Sequence, residues 1–386
     1  MKGRELLPGG RRAALWALAA AGGAAFAAGL RWAPRRALTD LLLANFYFLG
    51  LAAATVAVLA IHHVARAGWP TLFRRVPEAM AAYLPTGAVL LAGVWAGAPS
   101  LYHWAHHGAA EHDAILHAKA GWLNLTAWAV RSALALALWW AFSRALVRNS
   151  RRQDESGDLE LTARNRRLSA AFLPLFAATF TFAAIDWIMS LEPHWYSTLF
   201  PWYVFAGCLV HAFAGIAVLT LALKARGFFP ELNAHHLHDL GKLLFGFSVF
   251  WAYLWFSQFL LIWYSNIPEE TVYYAARWSR GWMLLQGANL LLNFLAPCAL
   301  LLRSEDKKDA SRLASAALVV CAGRWLDLYI MAVPSLGSGA RPHWLDLPVF
   351  LGVAALFALA FERSFRSAAP IPSRDPYLEE SLHHQG

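Results

Sequence analysis

The chain has 386 residues, of which 59% are hydrophobic and 15% are charged. Soluble domains usually carry about 25% charged residues, so this composition excludes an ordinary soluble protein. The formal net charge is +9, and where that charge lies along the chain decides whether it indicates a nucleic-acid partner.

Ten apolar stretches run through the sequence, and nearly every charge lies between them. They cover residues 13–30, 41–62, 79–101, 121–147, 168–190, 201–224, 241–265, 280–302, 311–333 and 345–365. A bilayer core of about 30 Å is crossed by roughly 20 helical residues, and a helix satisfies its own backbone polar groups in lipid. The sequence therefore predicts an all-α, polytopic membrane protein with ten transmembrane helices.

The predicted organisation is an integral membrane domain over residues 1–366 and a cytoplasmic tail over residues 367–386. Helices 2–5 (about 41–190) and helices 6–9 (about 201–333) are expected to form two four-helix bundles, with helices 1 and 10 peripheral. The charged connection 148–167 is interpreted as a solvated loop. The proline-containing tail is interpreted as a flexible or partner-bound segment.

Lys and Arg accumulate in alternate connections. With a cytoplasmic N-terminus, 24 of the 33 Lys and Arg residues lie at the two ends and near the even-numbered connections, and seven lie near the odd-numbered ones. Short basic connections stay in the cytoplasm. Both termini are therefore predicted to be cytoplasmic, and no nucleic-acid partner is expected because topology accounts for the charge. The face that bears connections three, five, seven and nine is called the outer face below.

The first apolar stretch has an alternative interpretation. Arg11 and Arg12 followed by an apolar run that ends at Ala25-Phe26-Ala27 also fit a cleavable signal peptide. Its removal would leave an odd number of helices, whereas the basic connections require the same orientation, so a spanning helix is predicted.

Metal and haem chemistry is not predicted within this chain. The three cysteines are isolated, with no CxxC or CxxCH motif. The histidines around His103 have helical ligand spacing, but their connection is short and lacks a second cluster. Only His211 lies clearly within a helix, so haem b held by two histidines is not expected either.

Polar side chains inside the apolar stretches are the strongest functional signal, because such groups are costly in lipid. They are Asn124, Arg131, Asp186, Gln258, Gln286, Asn289, Asn293, Arg324 and Asp327. The three on helix 8 share one face, and Arg324 and Asp327, three residues apart, can neutralise each other. These groups indicate a hydrated half-channel or a headgroup pocket; the alternatives are a structural ion pair and hydrogen bonds between helices.

Two segments carry a resemblance to a known family. Residues 186–198 read Asp-Trp-Ile-Met-Ser-Leu-Glu-Pro-His-Trp-Tyr-Ser-Thr, and residues 261–271 read Leu-Ile-Trp-Tyr-Ser-Asn-Ile-Pro-Glu-Glu-Thr, preceded by Phe256-Ser257-Gln258. They resemble the large membrane subunits of bacterial alternative complex III, in particular its F subunit (ActF), within the polysulfide-reductase membrane-subunit (NrfD-like) superfamily. Residues 113–131 and 324–329 fit the same pattern.

The resemblance implies a subunit of a quinol:electron-acceptor oxidoreductase, with cytochrome c or a similar acceptor, in the bacterial inner membrane. The implied partners are a homologous NrfD-like membrane subunit, an iron–sulfur subunit, multihaem cytochrome c subunits and lipids. Haem c and the iron–sulfur clusters would then lie in those partners. Quinone or menaquinone is the expected ligand, and no covalently bound cofactor is expected in this chain.

Under this hypothesis Asp186, Glu192 and His194 lie at a depth suited to accept or relay quinol protons. The deeper hydrated route is expected to consist of Gln258, Gln286, Asn289, Arg324 and Asp327. Asn124, near the outer end of helix 4, and Arg131, two turns deeper on the same face, complete the proton-transfer candidates. The candidates for partner docking are His103, Trp195, Pro268, Glu269 and Glu270.

Two alternatives stay open at this point. The quinol pocket of such a complex can belong to the homologous subunit, which leaves this chain as a proton-path and scaffold subunit with a rigid Glu-Pro-His turn. The alternative function is a secondary transporter or ion-conducting protein, for which interrupted helices at matching places in two halves would be typical.

Overall fold

The computed structural model describes residues 9–337 and 341–385. Over these residues the chain is helical, with no strand, and ten helices are long and apolar enough to cross a membrane. They are α1 (Gly9–Trp32), α2 (Pro34–Ala65), α3 (Arg75–Ala96), α4 (Leu125–Ser156), α5 (Leu159–Leu191), α6 (Phe200–Lys224), α7 (Ala234–Ser265), α8 (Arg280–Leu300), α9 (Ala310–Leu336) and α10 (Asp346–Arg366). The prediction of an all-α, multi-pass membrane protein is confirmed.

Helix α2 lies at the centre of the molecule. Its most apolar window is completely buried, and α2 packs against α1, α3, α5, α6, α9 and α10. Helix α6 is the next most buried and contacts α2, α5, α7 and α9. Gly50 brings these two helices close together, since a Cβ at this position would lie 2.9 Å from the sulfur of Cys208.

The remaining helices surround this pair. Helix α4 packs on α3 and α5, α8 packs on α7 and α9, and α1 packs on α10. Helices α1 and α10 meet where Gly22 faces Gly352, because a Cβ at Gly22 would lie only 2.6 Å from the Cα of Gly352. The division into two four-helix bundles stays a prediction, since α2 and α6 contact each other as well as the helices of their own half.

The charged segment between α4 and α5 is helical, so the interpretation of residues 148–167 as a solvated loop is wrong. Helix α4 ends at Gly157, whose φ of 70° lies in the left-handed region and whose N–H donates to Gln153 O at 2.8 Å. The Asp158 side chain then caps α5 by accepting from Glu160 N at 2.9 Å. A 32-residue helix is about 48 Å long and therefore extends beyond a bilayer core of about 30 Å.

The C-terminal tail is packed along the ends of the helices opposite to the outer face, so the interpretation of this segment as flexible is wrong. Asp375 forms an ion pair with Arg74. The Ser381 hydroxyl donates to Trp69 O at 2.7 Å and accepts from Leu72 N at 3.1 Å. These contacts attach the tail to the connection between α2 and α3.

Candidate functional site: a buried polar cluster beside an aromatic cavity

A polar cluster lies between α6, α7, α8 and α9, around the carboxylate of Asp327. Arg324 Nη1 lies 2.5 Å from Asp327 Oδ2, and both side chains are almost completely buried. Trp251 Nε1 donates to the same oxygen at 3.2 Å. Asn289 Nδ2 donates to Asp327 Oδ1 at 3.0 Å, and the Tyr203 hydroxyl donates to Oδ1 as well. Four side chains thus compensate one negative charge inside the membrane, as a buried carboxylate requires.

The cluster continues along α8, which is interrupted at this level. Asn293 Nδ2 donates to Asn289 Oδ1 at 2.7 Å, and Asn293 lies in a π-helical turn over Leu291–Leu295. Pro297 explains the interruption, because it lacks the N–H that would bond the carbonyl four residues before it. π-helical turns are frequent at functional sites.

Three amide side chains of the predicted polar set keep a free acceptor. Within the part of the chain that the structure describes, Gln258 Oε1, Gln286 Oε1 and Asn293 Oδ1 are buried and accept no hydrogen bond. Buried acceptors without a donor are uncommon in folded proteins. These oxygens are therefore the acceptors that the described chain leaves unpaired around the cluster.

On its other side the cluster reaches α2. Arg324 Nη2 lies 3.5 Å from Cys208 Sγ, and the ring of His211, one turn along α6 from Cys208, lies 4.2 Å from the ring of Tyr47. The Tyr47 hydroxyl donates to Cys321 O at 2.9 Å. Tyr47 and Cys321 also line a cavity, so the cluster and the cavity share a wall.

The cavity has a volume of about 610 Å³ and lies between α2, α8, α9 and α10. Its lining residues are Tyr47, Leu285, Cys321, Ala322, Trp325, Leu326, Tyr329, Pro342, Asp346, Leu347 and Phe350. Four of these eleven residues are aromatic, and the rings of Trp325 and Phe350 are 4.5 Å apart. Leu347 is 64% exposed, so this side of the cavity opens to the lipid-facing surface.

A charged network lies at the outer end of the cavity, called its mouth below, where Tyr329 and Asp346 belong to the lining. Arg36 Nε lies 3.0 Å from Asp40 Oδ1, and Arg36 also forms an ion pair with Asp346. The Tyr329 hydroxyl accepts from Arg36 Nη2 at 3.4 Å and donates to Arg341 O at 2.8 Å. Two carboxylates and a phenol therefore share one guanidinium at the mouth of an apolar slot.

Sequence reasoning missed this network because residues 31–40 were assigned to a connection. Helix α2 begins at Pro34, so Arg36 and Asp40 stand four apart on one helical face. That spacing was the available signal.

Asp186, one of the predicted proton-transfer residues, lies in a separate cluster between α4 and α5. Arg131 Nε and Nη2 contact its two carboxylate oxygens at 2.7 and 3.0 Å, and Trp122 Nε1 donates at 2.9 Å. The Arg131 guanidinium also lies 4.0 Å above the Trp122 ring. Asn124 caps α4 by accepting from Ala127 N at 2.8 Å. These contacts fix helix packing and are made away from the Asp327 cluster.

Glu192 is bound by Arg277, a residue that sequence reasoning had counted only as a loop charge. Arg277 Nη2 lies 2.5 Å from Glu192 Oε1, and its guanidinium donates to the backbone oxygens of Tyr273, Ile330 and Met331 at 2.7–3.0 Å. Burial alone would lower the pKa of Arg277, but Tyr273 and Glu192 raise the pKa above its ordinary value, so the side chain stays charged. One arginine thereby joins the fifth connection, the seventh connection and the end of α9.

His194 lies in an exposed pair on the outer face. Its Nε2 is 2.5 Å from Asp113 Oδ2, and its ring lies 5.9 Å from that of His103. The hydrogen bond with His194 and two backbone N–H groups hold the pKa of Asp113 below its ordinary value. Lys119 Nζ donates to Pro193 O at 2.6 Å, and burial lowers the pKa of Lys119. The Glu-Pro-His turn is thus fixed from two sides.

The docking candidates divide by exposure. Pro268 and Glu269, in the first turn of the short helix Pro268–Ala275, are exposed, as is His103, and Glu270 is half-buried. Trp195 is only 3% exposed and stacks on Tyr273 at 4.1 Å. The assignment of Trp195 as a docking residue is corrected, because its ring is covered by the chain itself.

Among the residues that the structure describes, no three His, Cys, Asp or Glu side chains come together in a way that could hold a metal ion. Comparison with known proteins gives no relative, since no family model matches the chain and no curated protein matches it. The resemblance to alternative complex III subunits therefore stays an expectation that rests on the segments quoted above.

Proposed function

We propose that this chain is a membrane subunit of a quinol:electron-acceptor oxidoreductase in a bacterial cytoplasmic membrane. The observation that carries the proposal is the aromatic cavity. Asp346 lines its outer end and is paired with Arg36. Trp325 and Leu326 line its inner wall, and these two residues stand between the buried Arg324 and Asp327 in the sequence.

The cavity suits a quinol in size and lining. Ligand pockets commonly enclose about 300–1,000 Å³ and are mostly apolar with a few polar groups, and this one encloses about 610 Å³. The aromatic rings of Tyr47, Trp325 and Phe350 provide flat apolar walls for the quinol ring. The open side near Leu347 leaves the isoprenoid tail in the lipid.

The mouth provides acceptors for the quinol protons. Oxidation breaks two O–H bonds and releases two protons and two electrons; the electrons would pass one at a time to iron–sulfur centres of a partner subunit on the outer face. Asp346 is the proposed first proton acceptor, and the Tyr329 hydroxyl is a second polar group in the same lining. The guanidinium of Arg36 stabilises Asp40 and Asp346 while they are charged and orients both.

The Asp327 cluster supports a second path for protons, into the membrane interior. Asp327 is linked through Asn289 to Asn293, and the acceptors that lack a donor lie on the same α8 face or on α7. An ionisable group at this depth is costly, which favours a functional reason for its presence. Asp186 and Glu192 are each bound to an arginine outside the cavity lining and outside the Asp327 cluster, which supports structural roles for these two residues.

The first experiment is to tag the chain, extract it in mild detergent, and record the dithionite-reduced absorption spectrum and the subunit content of the purified material. Co-purification of c-type haem with an iron–sulfur subunit is the expected result. A colourless protein that purifies alone would overturn the proposal and favour the transporter. The discontinuity of α8 at Asn293 is the observation that favours this second function, since transporters bind substrates at interrupted helices.

Variants of the purified complex test the residues. We expect Asp346→Asn and Asp327→Asn each to lower quinol-dependent turnover by at least tenfold, since proton transfer contributes about 10²–10⁴-fold to such steps. Ala322→Phe, which places a ring in the cavity, should raise KM. Glu231→Gln, an exposed cytoplasmic carboxylate, is the matched control and should leave turnover unchanged. Unaltered turnover of Asp346→Asn in an intact complex would remove that residue from the mechanism.

A further inference from the structure

A second pocket, of about 460 Å³, lies at the cytoplasmic ends of α3, α4 and α10. Four arginines of α4 line it, at positions 144, 148, 151 and 152, which is the spacing of one helical face. Two carboxylates also line the pocket: Glu78 is bound to Arg75 at 2.5 Å, and Glu155 is exposed. The lining therefore has an excess of positive charge.

These guanidinium groups have donors to spare. Within residues 9–337 and 341–385, Arg144, Arg148 and Arg152 form no ion pair. Arg151 Nη2 donates to Ser364 O and Oγ, each at 3.2 Å, but its buried Nε has no acceptor. The planar fork of an arginine matches the oxygens of a phosphate.

The depth of the pocket places it at the level of lipid headgroups. Helix α4 begins at Leu125 on the outer face, and Arg144 lies 19 residues further, which corresponds to about 29 Å along the helix. This distance equals the thickness of the hydrocarbon core, about 30 Å. The arginine face thus begins where the cytoplasmic headgroup layer begins.

An apolar groove of about 590 Å³ continues from this pocket along α3 and α4, and the two share Pro85 and Trp140 as walls. Small side chains leave the groove open, among them Ala92, Ala133 and Ala137. The groove reaches Trp95 near the outer end of α3. Its shape and its apolar lining suit an acyl chain.

We propose that the basic pocket and the groove form one binding site for an anionic phospholipid. The headgroup phosphate binds the arginine face of α4, and an acyl chain lies between α3 and α4. Charge complementarity decides the occupant: four arginines at headgroup depth favour an anionic lipid over a neutral partner helix, and the attached groove favours a lipid over a free phosphate. Basic pockets between helices on this face of a membrane typically bind anionic headgroups.

The test uses the full chain, purified and delipidated in detergent, with phosphatidylglycerol and phosphatidylcholine of identical acyl chains as probes. Binding is measured by native mass spectrometry or lipid titration. We expect phosphatidylglycerol to bind more tightly, and R148Q/R152Q to weaken it about 25-fold, since each arginine near a headgroup contributes about fivefold. The matched control is R164Q/R303Q, which removes two exposed cytoplasmic arginines elsewhere and should bind like the unmodified chain.

A second variant tests the groove. Ala137→Phe should weaken both lipids to a similar extent, because it fills the acyl-chain path and leaves the arginines in place. Full displacement of phosphatidylglycerol by inorganic phosphate would overturn the lipid assignment and indicate a free-anion site. Equal binding of the two lipids, or R148Q/R152Q binding unchanged, would also overturn it. If R148Q/R152Q fails to fold, the unmodified chain is tested at high salt instead. We then expect the preference for phosphatidylglycerol to be lost, because salt screens the arginines. A preference that persists at high salt would count against the proposal.

Discussion

Arg277 shows how one side chain can organise an entire surface of this protein. It is 1% exposed, stacks 3.5 Å from the Tyr273 ring centre and contacts Glu192 as well as three backbone oxygens. Two of those oxygens belong to Ile330 and Met331 near the end of α9 and the third belongs to Tyr273, so the guanidinium provides a donor to both segments. The outer face of α9 and the connections above it are therefore coupled through one residue.

We expect Arg277→Gln to lower the free energy of unfolding by about 3 kcal/mol, because removal of one partner leaves the other groups of a buried ion pair unpaired. Denaturation in mixed detergent micelles measures this change. Arg280→Gln, three residues further and exposed, is the control and should unfold like the unmodified chain. Equal stability of the two variants would show that the contacts of Arg277 are replaceable.

Position 207 requires a glycine because the side chain of Arg324 lies directly beside it. A Cβ at this position would lie 2.3 Å from Arg324 Nη1, and Arg324 is held in place by Asp327 and Cys208. We expect Gly207→Ala to destabilise the protein by about 1–3 kcal/mol through overpacking. Gly246→Ala is the matched control, since a Cβ there meets nothing within 4 Å and alanine favours a helix. Thermal unfolding of the two variants side by side gives the comparison, and a stable Gly207→Ala protein would contradict the packing seen around Arg324.

The central ion pair could be anticipated from sequence, but most of its surroundings could not. Arg324 and Asp327 stand three apart within an apolar stretch, so their proximity followed from helical geometry. Tyr203 and Trp251 also donate to Asp327, yet aromatic residues are abundant in this chain and nothing in their spacing distinguishes these two. Partners on different helices become visible only when the packing is known.

At the level of elements, α8 differs from its neighbours because its hydrogen-bond pattern changes midway. The π-helical turn precedes Pro297 and rotates the following residues relative to a regular helix. Asn289, before the turn, donates to Asp327, and Asn293, within the turn, donates back to Asn289. On a regular helix the spacing of Gln286, Asn289 and Asn293 predicts a common face for these residues. It does not predict this chain of contacts.

The tail makes a testable contribution at the same scale. The Ser381 hydroxyl satisfies both the Trp69 carbonyl and the Leu72 N–H. Ser381→Ala should therefore cost about 1–3 kcal/mol, the penalty for unpaired buried groups. Hydrogen exchange over residues 69–73 should accelerate in this variant. Ser367→Ala, which removes an exposed contact within the same segment, should leave that exchange unchanged, and equal exchange in both would mean that the tail is not attached there.

Hydropathy predicts the ten helices, but it does not predict how far a helix such as α4 extends beyond the lipid. Apolar periodicity ends where α4 leaves the lipid, but backbone hydrogen bonds continue to Ser156. The signals for the true boundary were Gly157 and Asp158, a C-terminal glycine followed by an N-cap. Charge composition had concealed them, because a run of charged residues is more often a loop.

At the scale of the whole molecule, orientation rests on the distribution of Lys and Arg and can be measured directly. We expect His107→Cys to react with a membrane-impermeant maleimide added to intact cells, since this exposed residue lies on the outer face. Ser156→Cys, at the opposite end of α4, should react only after permeabilisation. Both should label in detergent, which serves as the control for reactivity. Labelling of Ser156→Cys alone in intact cells would reverse the topology and place the cavity mouth in the cytoplasm.

The outer and inner ends of the molecule are built differently. The outer end holds the carboxylates of the cavity mouth and the exposed residues around Pro268 and His103. The inner end holds the arginine face of α4 and the packed tail. This asymmetry fits a subunit whose chemistry takes place on one side and whose anchoring takes place on the other.

The complete burial of α2 has a consequence for how the protein is made. This helix leaves the ribosome before α9 and α10, and six further helices are made in between, yet α9 and α10 are among its neighbours. Until α9 and α10 have been made, the surfaces of α2 that contact them in the folded protein therefore face lipid or the insertion machinery. Gly22 of α1 likewise has no partner until Gly352 of α10 has been made. Helix α2 is covered on all sides only when α9 and α10 have been made, so a chain that stops before them leaves part of α2 exposed.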